Sequence, residues 1–212
     1  MNYDVLGLIS TLIGLVLGLA LHEFAHALMG HYLGDTTAKD QGRLTLNPLA
    51  HIDPFTTLLL PIFLIIAHLP VFAAAKPVPF NPWALRGGRW GAAAVAAAGP
   101  FTNLLIALIC AFWLHFVAGS SIVAYIVLGS IISVNVGLFV FNLIPLPPLD
   151  GSRVLYAVAP PAMRDVMDRI EAAGLMVIFI FVLVMSYTPL GLIISRAIRG
   201  LISLLLPGNQ LP

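Results

Sequence analysis

Apolar residues run along this chain in long blocks, separated by shorter connections rich in polar residues, proline and glycine. The first block, residues 5–29, exceeds the ~20 residues an α-helix needs to cross a hydrocarbon core. It carries Gly7, Gly14 and Gly18, and the small-x-x-x-small spacing of the last two permits close approach of another helix. Next comes HYLGDTTAKDQGRLTLNPLAHIDP, whose Gly, Pro, Asn and Asp content predicts turns and short extended pieces. Residues 55–75 are apolar again but interrupted by Pro61 and Pro70, and the following KPVPFNP cannot be helical with prolines so closely spaced. Blocks at residues 90–117 and 121–144 predict two more spans. The second runs into PLPPLDG, expected to be extended because its prolines deny it helical hydrogen bonds. A mixed-charge connection containing RDVMDRIE leads to two final apolar segments, residues 172–187 and 190–206.

Composition fixes the solvent. Of 212 residues, 60% are hydrophobic and 9% charged, against roughly 25% charged in an ordinary soluble domain. Backbone groups find no partners in lipid, so the expected fold is an all-α polytopic membrane bundle of about five to six transmembrane segments. It is expected to be one domain over residues 1–212, with a core at 5–155 and C-terminal apolar segments at 172–206. The first block has no Lys or Arg before it and no A-x-A-like cleavage site, so it reads as a retained helix. No appended regulatory domain is expected. A net charge of +1 without a basic tract argues against nucleic-acid binding. The single cysteine, Cys110, excludes an intrachain disulfide and reads as a packed thiol.

The chemistry concentrates in HEFAH. His22 and His26 are four residues apart and share a helix face, so both imidazoles can bind one metal ion while Glu23 reaches a water on it. Zinc suits two neutral imidazoles and a carboxylate with one position left for water, whose pKa it lowers toward ~7. Glu23 is the candidate general base, passing the proton on to the leaving amine. On a soluble helix the motif can be mere surface polarity. Inside a span each ionisable group costs about 2.5–3.5 kcal/mol on insertion scales, so three within five residues demand a compensating role. A third ligand is needed, and Asp150 beyond the 121–144 block is the candidate; by local sequence alone, an ordinary turn aspartate before Gly151 is an equal alternative.

The two motifs together resemble the site-2 protease family of intramembrane zinc metalloproteases, which pairs HExxH on one transmembrane helix with a downstream N-x-x-P-x-x-P-x-D-G-type element on another. The second element here is Asn142-Leu-Ile-Pro145-Leu-Pro147-Pro148-Leu-Asp150-Gly151. The resemblance covers most of residues 6–155, including AGPFTN at Ala98–Asn103. It implies one zinc per chain with Asp150 as third ligand, Asn142 holding substrate backbone, and transmembrane protein segments as substrates. Many members have a further helix before HExxH and a PDZ domain or CBS pair; this chain looks like a minimal member. GRLTLNPLAHIDP and AKPVPFNP resemble a short bacterial and archaeal subgroup, implying a prokaryotic cell membrane and an extended hairpin beside the site.

Sharing one metal imposes a topology. The C-terminal ends of the first and the 121–144 spans must then lie on one side of the membrane, with residues 90–117 as the return crossing. The chain between Gly30 and Arg89 must begin and end on that side, so residues 55–82 are expected to form a re-entrant hairpin, a Pro-broken helix in and a strand near AAAKPVPF back. Such backbone is tolerated at membrane depth only when buried in protein or lining a wet cavity. That strand is also a candidate edge for pairing with an unwound substrate. Lys39, Arg43, Lys76, Arg86, Arg89, Arg153, Arg164 and Arg169 fall on the same side and the opposite connections carry no Lys or Arg, so the site is expected to face the cytoplasm.

Of the remaining polar residues, His68 and His115 read as structural or interfacial, and His51 as hydrogen-bonding a turn near the site. His31 follows His26 by five residues, the wrong helical face for a ligand. Asn103 and Asn135 read as interhelical amides. Two rival functions share these features. A metal or proton transporter would spread polar groups through the whole membrane depth, and a non-proteolytic helix-binding protein would need no Glu23.

Overall fold

The computed structural model describes residues 3–67, 76–117 and 121–207. In chain order these form α1 (Tyr3–Tyr32), α2 (Thr37–Asp40), a 3-10 turn (Pro48–His51), a π-helical turn (Pro54–Leu59), α3 (Leu60–Ile66), α4 (Arg89–Val117), α5 (Ile122–Asn142), α6 (Asp150–Val158), α7 (Pro161–Ala172), α8 (Leu175–Tyr187) and α9 (Pro189–Leu205). No strand occurs among the described residues, in keeping with the all-α expectation. The helices α1, α4 and α5 pack mutually as the centre of the bundle, α6 lies against α4, and α9 against α5. A core of Ala107, Ala111, Leu114, Ile132 and Val136 joins α4 to α5, with Cys110 and residues of α9 packed around it. Gly14 and Gly18 both face α5, which approaches so closely that a Cβ on Gly14 would lie 3.3 Å from the Ile131 backbone.

Among the described residues, α1, α4 and α5 are long and apolar enough to cross a membrane, and a fourth span is possible if α7 and α8, bent by 94°, are counted together. The final two apolar blocks do not each make a helix of that length. Thr188 and Pro189 divide them into 13 and 17 residues, about 20 and 26 Å of helix against a core of about 30 Å. Helix ends follow local chemistry. Past α1, Gly34 takes φ +105° while Asp35 N–H bonds Gly30 O and Gly34 N–H bonds His31 O, the paired bonds of a Schellman terminus. Ser121 caps α5 by accepting from Ala124 N–H.

The segment between α1 and α4 returns to its starting point. Arg86 N–H donates to Leu33 O at 2.8 Å and Lys76 N–H to His51 O at 2.9 Å, so the excursion leaves and re-enters at neighbouring places, as the parity argument requires. Its outward leg is the π-helical turn and α3. Asp53 caps that leg, accepting from Phe55 and Thr56 N–H. The return leg, residues 76–81, has no regular secondary structure, so the expected strand is not formed there. Pro77 and Pro79 remove two alternate ladder donors from it. His68 and residues 73–75 of the expected strand lie outside the described residues.

PLPPLDG also departs from expectation. It is a compact series of turns, with Leu146 N–H bonding Ile144 O and Leu149 N–H bonding Leu146 O, and a cis bond between Pro147 and Pro148. Proline forbids helix here without imposing extension, because turns also tolerate the missing donors. The compaction sets Asp150 as the first residue of α6, just beyond the end of α5.

Candidate metal centre

The HEFAH segment lies wholly within α1, with His22 and His26 one turn apart on the face toward α4. Asp150 is supplied by a second element, as the first residue of α6. Its Oδ2 lies 3.1 Å from His22 Nε2 and 3.4 Å from His26 Nε2, and the two Nε2 atoms are 3.0 Å apart. One ligand atom from each residue therefore lies within 4.8 Å of the other two, and no other residue joins this group among those described. His22 and Glu23 are buried and Asp150 partly so.

The donor set fits a zinc ion. His26 Nδ1 lies 2.7 Å from Val95 O, an obligate acceptor, so that nitrogen carries the proton and Nε2 presents a lone pair. His22 Nδ1 likewise donates to Asn103 Oδ1 at 2.6 Å. Two imidazole lone pairs and a carboxylate oxygen thus point at one spot, which only a cation or a proton can occupy without repulsion. Bonds of about 2.0–2.1 Å to a tetrahedral ion put its ligand atoms about 3.3 Å apart, close to the three separations found.

Two glycines make room for this arrangement. A Cβ on Gly99 of α4 would lie 2.4 Å from His26 Nε2 and 2.7 Å from His22 Cε1; both imidazoles rest on a backbone with no side chain. A Cβ on Gly151 would meet Leu143 O at 2.2 Å, so glycine after Asp150 lets α6 start tight against the end of α5. Sequence reading noted AGPFTN as part of the family resemblance, without identifying the rings as what approaches Gly99. The signal was present in AGPFTN, but its partners lie on another helix.

Glu23 stands apart from the three-atom group. Its Oε2 accepts from Val78 N–H at 3.0 Å, so residues 76–81 form a strap lying against the carboxylate. Arg43, itself buried, holds the strap by donating to Lys76 O at 2.5 Å and ties it to the preceding loop through Ala50 O at 2.6 Å. Asp35 anchors the far end, accepting from Asn81 N–H at 2.6 Å and from the Thr37 hydroxyl and N–H. Burial raises the Asp35 carboxyl, but these donors outweigh it and hold the group below its ordinary value. Arg153, one turn along α6 from Asp150, pairs with Glu171 and lies over the Phe80 ring. None of Val78, Arg43 or Asp35 was singled out from sequence as a site residue, because each acts through backbone groups that carry no sequence signature.

The other candidates fall as follows. Asn142 ends α5 and spends one amide N–H on Leu138 O; among the described residues its second N–H and its Oδ1 have no further hydrogen-bond partner. His51 is buried and bonds Thr45 O through Nε2, the turn-bonding role expected. His115 bonds Ala111 O in its own helix, and His31 lies in the last turn of α1, outside the metal group.

Comparison with known proteins agrees with this geometry. The model of peptidase family M50 matches residues 117–185, the part containing Asn142 and Asp150. YwhC of Bacillus subtilis, named as a candidate zinc metalloprotease, is 41% identical over 187 residues, covering 84% of this chain and 80% of its own. Rip2 of Mycolicibacterium smegmatis, named in the same way, is 32% identical over 183 residues, covering 83% of this chain and 66% of its own. Rip2 of Mycobacterium tuberculosis strain H37Rv is 29% identical over 190 residues. No solved structure matches the chain significantly. With HEFAH and Asp150 drawn to one point, and a relative this similar over most of both lengths, the chain belongs to the site-2 protease family, peptidase family M50.

Proposed function

We propose that this chain is an intramembrane zinc metalloprotease that hydrolyses peptide bonds in or near the transmembrane segments of membrane proteins, with His22, His26 and Asp150 holding the ion and Glu23 as general base. The observation that carries the reading is the convergence of two Nε2 lone pairs and a carboxylate oxygen from α1 and α6 below the end of a membrane-length helix. His22 lies ten residues before the end of α1 at Tyr32, about 15 Å of helix. Zinc, when bound, supplies Lewis acidity and lowers the pKa of water.

The rest is done by the chain. Val78 N–H engages Oε2 of Glu23, which leaves Oε1 to take the proton from water and deliver it to the leaving amine. Glu23 is itself buried, which strengthens the electrostatic interactions of its carboxylate. A substrate segment must unwind before its carbonyl is accessible. Strap residues 76–81 lie beside the catalytic carboxylate as a backbone to pair with it, offering mainly carbonyl acceptors because Pro77 and Pro79 have no N–H. Asn142, with one N–H and Oδ1 uncommitted, binds the substrate backbone. The end of α1 carries the Lys and Arg side, which supports a cytoplasmic-facing site in the cell membrane.

The test is cleavage of transmembrane peptides by the purified chain in liposomes, with and without a zinc chelator, beside Glu23→Gln. Cleavage is expected to stop with chelator and to fall about 10²–10⁴-fold in the variant. Cleavage that persists in Glu23→Gln overturns the mechanism, and full zinc loading without proteolysis of any membrane substrate overturns the function.

A further inference from the structure

The ring of His22 is held by more than its nearest partner. Asn103 on α4 and Asn135 on α5 are each fully buried, 0% exposed, in the middle of the bundle, where unsatisfied polar groups are costly. They form a chain. Asn103 Nδ2 donates to Gly18 O at 3.1 Å and to Asn135 Oδ1 at 2.9 Å, and Asn135 Nδ2 donates to Ile131 O at 2.9 Å.

The ends of this chain are backbone carbonyls, which only accept, and that fixes every group between them. Ile131 O requires the NH2 of Asn135 to face it, so Asn135 turns Oδ1 toward Asn103. Gly18 O and Asn135 Oδ1 together require both N–H groups of Asn103, so Asn103 must turn Oδ1 toward His22. An amide oxygen facing the imidazole requires the proton on Nδ1, and the lone pair of the neutral ring is then on Nε2, toward His26 and Asp150. Gly18 is part of the device, since a Cβ there would lie 2.8 Å from Asn135 Oδ1.

We propose that Asn103 and Asn135 are positioning residues that select the Nδ1–H tautomer of His22 and aim its Nε2 before metal arrives, so that the site is preorganised in the empty protein. This rests on His22 being a zinc ligand. The alternative for two buried amides is helix adhesion alone. Adhesion predicts that their loss lowers stability but leaves zinc affinity of the folded protein unchanged. A tautomer relay predicts loss of affinity, in the range of 10–100-fold typical when the partner of a ligating histidine is removed.

The experiment uses the full chain in detergent with Asn103→Leu, Asn135→Leu and Leu114→Ala, the last a packing lesion at another fully buried site. Zinc affinity is measured by chelator competition, and the tautomer of His22 by nitrogen NMR of the neutral ring in zinc-free protein. Asn103→Leu is expected to bind zinc about 10–100-fold more weakly and to show a mixture of tautomers. Asn135→Leu, acting through Asn103, moves both readouts in the same direction by less and serves should Asn103→Leu fail to fold. Leu114→Ala lowers stability and moves neither. Wild-type affinity and a single Nδ1–H tautomer in both asparagine variants, or an equal affinity loss in Leu114→Ala, overturns the relay. Should the wild-type chain bind no zinc, the reading of the centre fails instead, and the metal-free tautomer spectrum still decides the relay.

Discussion

Replacing Gly99 by alanine adds one methyl group to the wall on which both histidines rest. That carbon would lie 2.4 Å from His26 Nε2, 2.6 Å from His26 Cε1 and 2.7 Å from His22 Cε1, whereas ordinary contact begins at 3.4 Å. The rings or α4 must therefore move by about 1 Å, while metal sites tolerate about 0.2 Å in ligand distance. A displacement of that size costs about 10²-fold in rate when it misplaces reacting groups, equivalent to about 2.7 kcal/mol. Zinc affinity is expected to fall at least tenfold. Overpacking also destabilises by about 1–3 kcal/mol, so the control is Gly137→Ala, also within a membrane helix, where the added Cβ meets nothing within 4 Å. Zinc content and peptide cleavage are measured on both purified variants. Wild-type zinc binding and cleavage in Gly99→Ala would show that the imidazoles do not seat on this glycine.

Other consequences concern the strap and the orientation. Arg43→Ala removes the donors to Ala50 O and Lys76 O and is expected to lower local stability by about 1.5–3 kcal/mol. Faster hydrogen exchange at Lys76, Val78 and Asn81 reads it, and lysine does not restore protection because it lacks the planar fork. Asp35 has a folded carboxyl below its unfolded value, so its anchoring of Asn81 is fully present above the ordinary carboxylate range and is lost as pH falls through the depressed folded value. Protection of the Asn81 amide should follow that acid transition in the wild type and lose it in Asp35→Asn. A cysteine at Lys39 is expected to react with impermeant thiol reagent only from the cytoplasmic side, and one at Thr188 only from outside; the reverse pattern inverts the topology.

Much of the centre was legible in sequence because its chemistry is local. His22 and His26 are four residues apart, a spacing that announces a common helix face, and Glu23 lies within the same five-residue segment. Asp150 was left open by local sequence and came from the family resemblance; the parity that its sharing the metal imposes is supported by the hydrogen bond from Arg86 N–H to Leu33 O. The groups that hold the ligands in place were not legible. Asn103 meets His22 across 81 positions of sequence, and Gly99 matters only because of the rotation of α4 about its axis, which apolar composition on all sides leaves unspecified. Val78 serves Glu23 through a backbone N–H available at any non-proline residue. Over residues 145–149 the sequence excluded helix correctly, whereas Asp150 and Gly151 begin α6, and the choice between turns and extension depends on docking at Leu143.

The central claim is that three side chains from two helices, α1 and α6, hold one zinc while a fourth moves protons. X-ray absorption at the zinc edge, on the purified wild type, Glu23→Gln and Asp150→Ala, tests it most directly. The account predicts one zinc with two imidazoles and oxygen ligands at about 2.0–2.1 Å in the first two, only the wild type being active, and loss of the ion in Asp150→Ala. An Asp150→Ala protein that keeps zinc with wild-type coordination and affinity would contradict it.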